Sequence, residues 1–236
     1  MLDTAEPVSV ARRDHHLWND ALIHSTAMVT LYNKIANQSP ERLAALSDGV
    51  FAFALTLLVL DLRLPEVGSI HSERELWHAL LLLTPSIVMY LMSFLTLGIF
   101  WNGQQTQMNY LARCDRDLTW MYIAFLFAVT LTPFSTKLLA AFIAYRTALL
   151  VYWLNILLLG AVLYGSWRYA SRACLIKEDT PVEIRQAIRR RVVIAQSMYA
   201  LGALLCVIST RWSIAFIFVV QLYYAIAPRR LQISKA

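Results

Sequence analysis

Charge is what this sequence has least of. Asp, Glu, Lys and Arg make up 15% of its 236 residues, where soluble domains carry roughly 25%. Hydrophobic residues fill 58%, above the roughly 45–50% of a soluble chain. That balance excludes a soluble globular enzyme or binding module and points to a polytopic membrane protein. Cysteine is also scarce. Cys114, Cys174 and Cys206 are odd in number and unevenly spaced, and no CxxC pair occurs. Neither a disulfide framework nor a zinc site is indicated, and all three are read as structural. The first 41 residues lack a basic stretch followed by an apolar core, so they do not read as a cleaved signal peptide. The net charge of +6 raises a nucleic-acid reading, but most basic residues flank apolar spans. The charge is therefore read as membrane topology, with no nucleic-acid partner.

What remains is a series of six apolar runs: residues 43–64, 76–101, 118–136, 147–167, 192–209 and 212–227. Each is close to the 20 or so residues that a helix needs to cross about 30 Å of hydrocarbon. Residues 1–41 are mixed and polar. Within them residues 17–32 suggest a cytosolic or interfacial helix, and the His15-His16 pair reads more simply as solvated tail than as a metal site. Ser39-Pro40-Glu41-Arg42 has the form of a helix start with Ser39 as N-cap. Pro65 is expected to stop the first span, Thr84-Pro85 to kink the second, and Pro133 to loosen the last turn of the third. Residues 102–117 are a polar loop or an extension of the second span. Residues 168–191 form the longest internal loop, a turn at Thr210-Arg211 joins the last two spans, and 229–236 are a cytosolic tail. Trp101, Trp120, Trp167, Trp212, Tyr223 and Tyr224 gather at span ends, as interfacial aromatics do.

Lys and Arg divide unevenly among the connections. Sixteen fall on the side of the N-terminus, the second-to-third and fourth-to-fifth loops and the C-terminal tail; five fall on the other side. The positive-inside rule then places both termini in the cytoplasm, with an even number of spans.

The spans hold no Ser-His-Asp set, no metal-spaced His and Cys cluster and no phosphate loop, so no enzyme is read and no metal or cofactor is called for. The six spans do not fall into two similar halves, as those of many transporters do. The polar inventory near the midplane reads as Thr56 and Asn155. Asn155 is expected to hydrogen-bond a neighbouring helix for about 0.6–2 kcal/mol. One helical face of the first span carries Gly49, Phe53, Thr56, Leu57, Leu60 and Leu64, at spacings of three and four. Arg42 and Ser47-Asp48 at its start are costly so close to hydrocarbon and call for partners. Arg42 and Asp48 lie six apart and face different ways, so each suits a neighbouring helix better than the other.

The stretch Arg42-Leu-Ala-Ala-Leu-Ser-Asp-Gly-Val-Phe-Ala-Phe-Ala-Leu-Thr-Leu-Leu-Val-Leu60 resembles the first-helix signature of the bacterial branch of the endolysosomal potassium channel family. Gly98-Ile99-Phe100-Trp101 is similar to the end of that family's second helix. Arg113-Cys-Asp-Arg-Asp-Leu-Thr-Trp120 and Leu131-Thr-Pro-Phe-Ser-Thr136 resemble its third. The sequence departs from the pattern at Leu46, where Phe is usual, at Phe53, where a smaller aliphatic residue is usual, and at Gln104-Gln105, where a His pair is common.

The resemblance implies an all-α membrane protein of six helices that assembles as a homotetramer around its first helices and passes potassium ions. It implies that Phe53, Leu57 and Leu60 form the pore constriction, and that Thr56 adds hydroxyls linked to potassium preference. It implies a network of Arg42, Ser47 and Asp48 that ties helices together at the cytoplasmic end. Asp61 would sit at the outer mouth, where carboxylates concentrate cations, or would pair with Arg63. No Thr-Val-Gly-Tyr-Gly filter occurs, so selectivity needs another device. Two other classes share this topology: an ion-coupled secondary transporter and a non-conducting membrane scaffold. The expected setting is a bacterial plasma membrane.

Overall fold

The computed structural model describes residues 39–60, 62 and 70–226. The histidine pair, residues 17–32, Asp61, Arg63, Leu64, Pro65 and the 229–236 tail lie outside the described residues. Among the described residues eight helices follow one another: α1 (Pro40–Val59), α2 (Glu73–Leu82), α3 (Thr84–Asn109), α4 (Arg116–Thr130), α5 (Thr132–Ala141), α6 (Arg146–Arg172), α7 (Val182–Leu204) and α8 (Thr210–Ile226). A 3-10 turn, Leu205–Val207, extends α7.

Among the described residues five segments are long and apolar enough to cross a membrane: α1, α3, α4 with α5, α6, and α7 with its 3-10 turn. The sixth, α8, has 17 residues, or about 26 Å. The result is an all-α bundle of six spans. Large apolar side chains remain on its outside, such as Leu150, Leu154 and Leu158 at four-residue spacing along α6. Such a stripe suits lipid and not water. Lipid tails are as apolar as leucine, so the helices are held by close packing and hydrogen bonds rather than by expulsion of water.

Prolines set the breaks. Pro85 and Pro133 each lack an N–H and crowd the carbonyl four residues back, so the helix interrupts just before them, at Leu83 and Leu131. The second run is therefore two helices and begins at Glu73. Pro133 does not sit in a closing turn, because α5 continues through Lys137 to Ala141. Asn155 of α6 lies at this second break. With its amide nitrogen turned to Ala128, it donates to Ala128 O (3.0 Å) and accepts from the Thr132 N–H (3.2 Å). One side chain thus replaces backbone bonds that the break leaves open.

Of the two readings of residues 102–117, the extension holds for 102–109, since the second span runs on to Asn109. Other boundaries differ from the hydropathy. The fifth begins at Val182, which turns the second half of the basic 168–191 stretch into helix and leaves a short connection. Thr210 opens α8, so the turn lies just before it. The described part of α1 ends at Val59, short of Pro65. Trp167 is not interfacial: it is buried and donates its indole N–H to Arg185 O (3.1 Å), which ties α6 to the start of α7.

The bundle alternates direction. Leu43 of α1, Met108 of α3, Leu118 of α4, Trp167 of α6 and the loop residues Leu111 and Ile176 share one apolar cluster. The 110–115 and 173–181 connections pair there through Ala112 N to Leu175 O and Lys177 N to Tyr110 O, both 2.9 Å. At the opposite end Arg146, which opens α6, donates to Val207 O (3.1 Å). The α3–α4 and α6–α7 connections therefore lie together with the start of α1.

Candidate functional site

The first helix starts where Ser39 accepts from the Arg42 N–H (3.4 Å), with Pro40 in the first turn. From there α1 has two unlike faces. Leu43, Ser47, Phe51, Ala54 and Leu58 are buried against α3 and α4, at spacings of four, four, three and four. Phe51 packs on Phe125 of α4 with ring centroids 6.0 Å apart. The opposite face is largely uncovered by the other described residues. Phe53 is 64% exposed and Leu60 73%; Thr56 and Gly49 are exposed, and Leu57 is half-buried. A Cβ added at Gly49 would meet open space. Among the described residues this face stays mostly open from Gly49 to Leu60.

Thr56 lies on that face. Its hydroxyl donates back to Phe53 O (2.8 Å), which fixes the rotor and leaves the oxygen lone pairs pointing away from the helix.

The buried flank carries the polar attachments. Ser47, wholly buried, donates to Leu43 O (3.0 Å) and accepts from Gln104 Nε2 (2.8 Å). Asp48 Oδ1 accepts from Trp101 Nε1 (2.7 Å) and from Gln105 Nε2 (2.6 Å). These bonds bring together the Ser47-Asp48 pair and the Gln104-Gln105 pair that departs from the family pattern. Bonds to an ionised acceptor are the stronger kind, about 1.5–3 kcal/mol each where buried and less at this exposed edge. Arg42 is not brought into this group. It lies exposed on the first turn, seven and eleven residues before Gly49 and Phe53 and so on their face of the helix.

A second polar cluster sits inside the bundle. Thr136 of α5 donates to Ser93 of α3 (2.6 Å), Thr96 of α3 pairs with Tyr152 of α6 (3.1 Å), and Gln221 of α8 donates to Thr96 (2.7 Å). All five are buried. The midplane inventory is thus richer than Thr56 and Asn155. Each hydroxyl is unremarkable alone in an apolar run, and only the fold shows that they meet. The cluster is closely bonded within itself and joins four helices.

Outside the spans, Cys114 lies buried between α3 and α4. Burial pushes its thiol up to about 11 from 9.0, and the nearby Asp115 and Glu41 charges add to the shift.

A family model described as endosomal/lysosomal potassium channel TMEM175 matches residues 42–133, which hold α1 and its partners on α3 and α4. A protein of Streptomyces collinus named a potassium channel is 32% identical over 190 residues, or 78% of this chain and 90% of that protein. A potassium channel of Chamaesiphon minutus is 31% identical over 195 residues, covering 78% of this chain and 93% of that one. The crystal structure of a lysosomal potassium-selective channel TMEM175 homolog from Chamaesiphon minutus superposes with a TM-score of 0.70 at 30% identity, over 80% of this chain and 97% of that chain. With the first-helix motif, its bonded partners and the whole bundle in agreement, the chain belongs to the bacterial branch of the TMEM175 endosomal/lysosomal potassium channel family.

Proposed function

We propose that this protein is a potassium-permeable channel whose pore forms where the exposed α1 faces of four copies meet. The observation that carries this reading is the division of α1. One face is packed and bonded by its own subunit, and the other leaves Gly49, Phe53, Thr56 and Leu60 exposed among the described residues. One chain has too few polar groups to line a path, so copies must share one. Relatives named potassium channels supply the ion.

In this reading Phe53 is the narrowest ring, with Leu57 and Leu60 beyond it. An apolar ring of that kind expels water and bars hydrated ions before it is sterically sealed. Thr56 places a ring of hydroxyl oxygens between those levels. Ser47 and Asp48 do not line the path; they fix α1 to α3 so that the exposed face keeps its bearing. Arg42 shares the exposed face and stands at its N-terminal mouth. Asp61 is assigned to the other mouth on the family pattern alone. In this reading the end that gathers the start of α1 and the two basic connections faces the cytoplasm, with both termini on the cytoplasmic side of a bacterial plasma membrane. A reporter fused after Ala236 that reads outside would reverse that orientation.

Liposomes holding the purified protein test the function. Potassium flux above sodium flux, small in the resting wild type and larger in Phe53→Ala, from a particle with the mass of four chains, is expected. Saturable flux tied to a coupling ion would identify a transporter, and no flux under any condition a scaffold.

A further inference from the structure

We infer that the cleft between α3 and α7 at the basic end of the bundle binds an anionic phospholipid, with an acyl chain in the cleft and the phosphate on Arg191, and that this lipid backs the turn of α3 that holds α1. The cleft has a volume of about 190 Å³ and is walled by Gly103, Thr106 and Gln107 of α3 and by Ala187, Ile188 and Val192 of α7, with Arg191 also on its lining. Its walls suit a hydrocarbon chain and its edge suits a negative headgroup.

Charge complementarity selects the occupant. Arg189, Arg190 and Arg191 are exposed, and between Ile184 and Val207 this segment has no acidic residue. Counting back from Val207, Arg191 lies about 24 Å along the helix axis, within one or two turns of the edge of a roughly 30 Å hydrocarbon layer. A guanidinium there reaches headgroup phosphates while its stem stays in lipid. Arg185 cannot compete for the role, since it is turned to the Thr180 and Lys177 carbonyls.

The position gives the lipid a consequence. Gly103, Thr106 and Gln107 lie on the opposite side of the same α3 turns from which Trp101, Gln104 and Gln105 reach Ser47 and Asp48. A chain seated in the cleft therefore supports α3 from behind the contacts that fix α1. The inference rests on the membrane-spanning reading and not on conduction, so its readout is binding.

The experiment uses the full chain in nanodiscs of phosphatidylcholine with phosphatidylglycerol, followed by native mass spectrometry of retained lipid and by melting temperature. Wild type should retain phosphatidylglycerol in preference to phosphatidylcholine and melt higher with it. Arg191→Gln should weaken retention about fivefold, the equivalent of the ~1 kcal/mol of one interfacial arginine. Arg191→Lys should keep most of it, and Ala187→Phe, which fills the cleft, should lose it at unchanged oligomer mass. Equal retention by wild type and Arg191→Gln overturns the inference. So does displacement of the lipid by inorganic phosphate, which would make this a simple anion site. A fall in oligomer mass on Ala187→Phe overturns it too, by marking the cleft as a contact between copies.

Discussion

Gln104 of α3 donates its amide to the hydroxyl of Ser47 in α1 at 2.8 Å, with neither residue exposed at all. The bond joins the packed flank of the first helix to the second span. Ser47 keeps a second bond, to Leu43 O, whereas Gln104 Oε1 has no partner among the described residues. The two residues are therefore unequal. Ser47→Ala strands the whole amide of Gln104 in apolar surroundings and should cost about 1–3 kcal/mol. Gln104→Leu removes the polar group with its need and should cost less. Melting temperatures of both singles and the double give the coupling, and strictly additive effects would show that the bond contributes nothing.

Among the described residues Asp48 is held by neutral donors, Trp101 and Gln105, and not by a cation. Removing it strands no partner charge, so the loss is smaller than for a broken buried ion pair. Asp48→Ala should cost on the order of 1–2 kcal/mol, scaled down for its exposure. Asp48→Asn, which retains an acceptor oxygen, should sit close to wild type in melting temperature. Collapse of the oligomer with Asp48→Asn would mean that the negative charge itself is required.

Cys114 gives a pH dependence with a definite sign. Its thiol stays protonated in the fold until about pH 11 and ionises in the unfolded chain near 9.0. The fold thus holds the proton longer. The stabilisation is complete below pH 9 and is lost as pH rises through 11. Cys114→Ala should flatten that part of the stability profile. At neutral pH the exposed Cys174 should react with a maleimide well before Cys114 does.

Much of this fold was legible in the residues. The Ser39 cap, the six spans and the unlike faces of α1 follow from turn chemistry and periodicity. What hydropathy could not read was polar groups that face protein. Gln104 and Gln107 suit a polar loop as well as an extension of the second span, and only the fold decides: both are buried and bonded, so α3 runs on to Asn109. Arg189 to Arg191 look like loop charge, yet arginine is a good helix former and α7 starts before them. Trp167 has the place of an interfacial aromatic but finds a carbonyl inside. Ser93, Thr96, Thr136, Tyr152 and Gln221 come from four helices, and no spacing within one run announces that they meet.

Thr56 should affect selectivity more than throughput. Its hydroxyl is anchored to Phe53 O, so the oxygen presents lone pairs at a fixed place on the open face. Thr56→Ala removes that oxygen and should lower preference for potassium over sodium, with a smaller change in total current. Thr56→Ser should retain the preference. Reversal potentials under bi-ionic conditions read both, and an unchanged potential in Thr56→Ala would exclude Thr56 from the selective level.

The account turns on whether the open face of α1 lines the conducting path, and Phe53→Ala asks this most directly. Phe53 is 64% exposed within its subunit, so truncation leaves no cavity there of the kind that costs about 3–5 kcal/mol. The measurement is potassium flux into liposomes and melting temperature on one preparation, beside wild type, Leu57→Ala and Leu60→Ala. The account predicts little flux through resting wild type. Phe53→Ala should raise it most, Leu57→Ala and Leu60→Ala less, with melting temperature near wild type. A lower melting temperature with unchanged flux would contradict it, because the ring would then be packing between helices and not closing a pore.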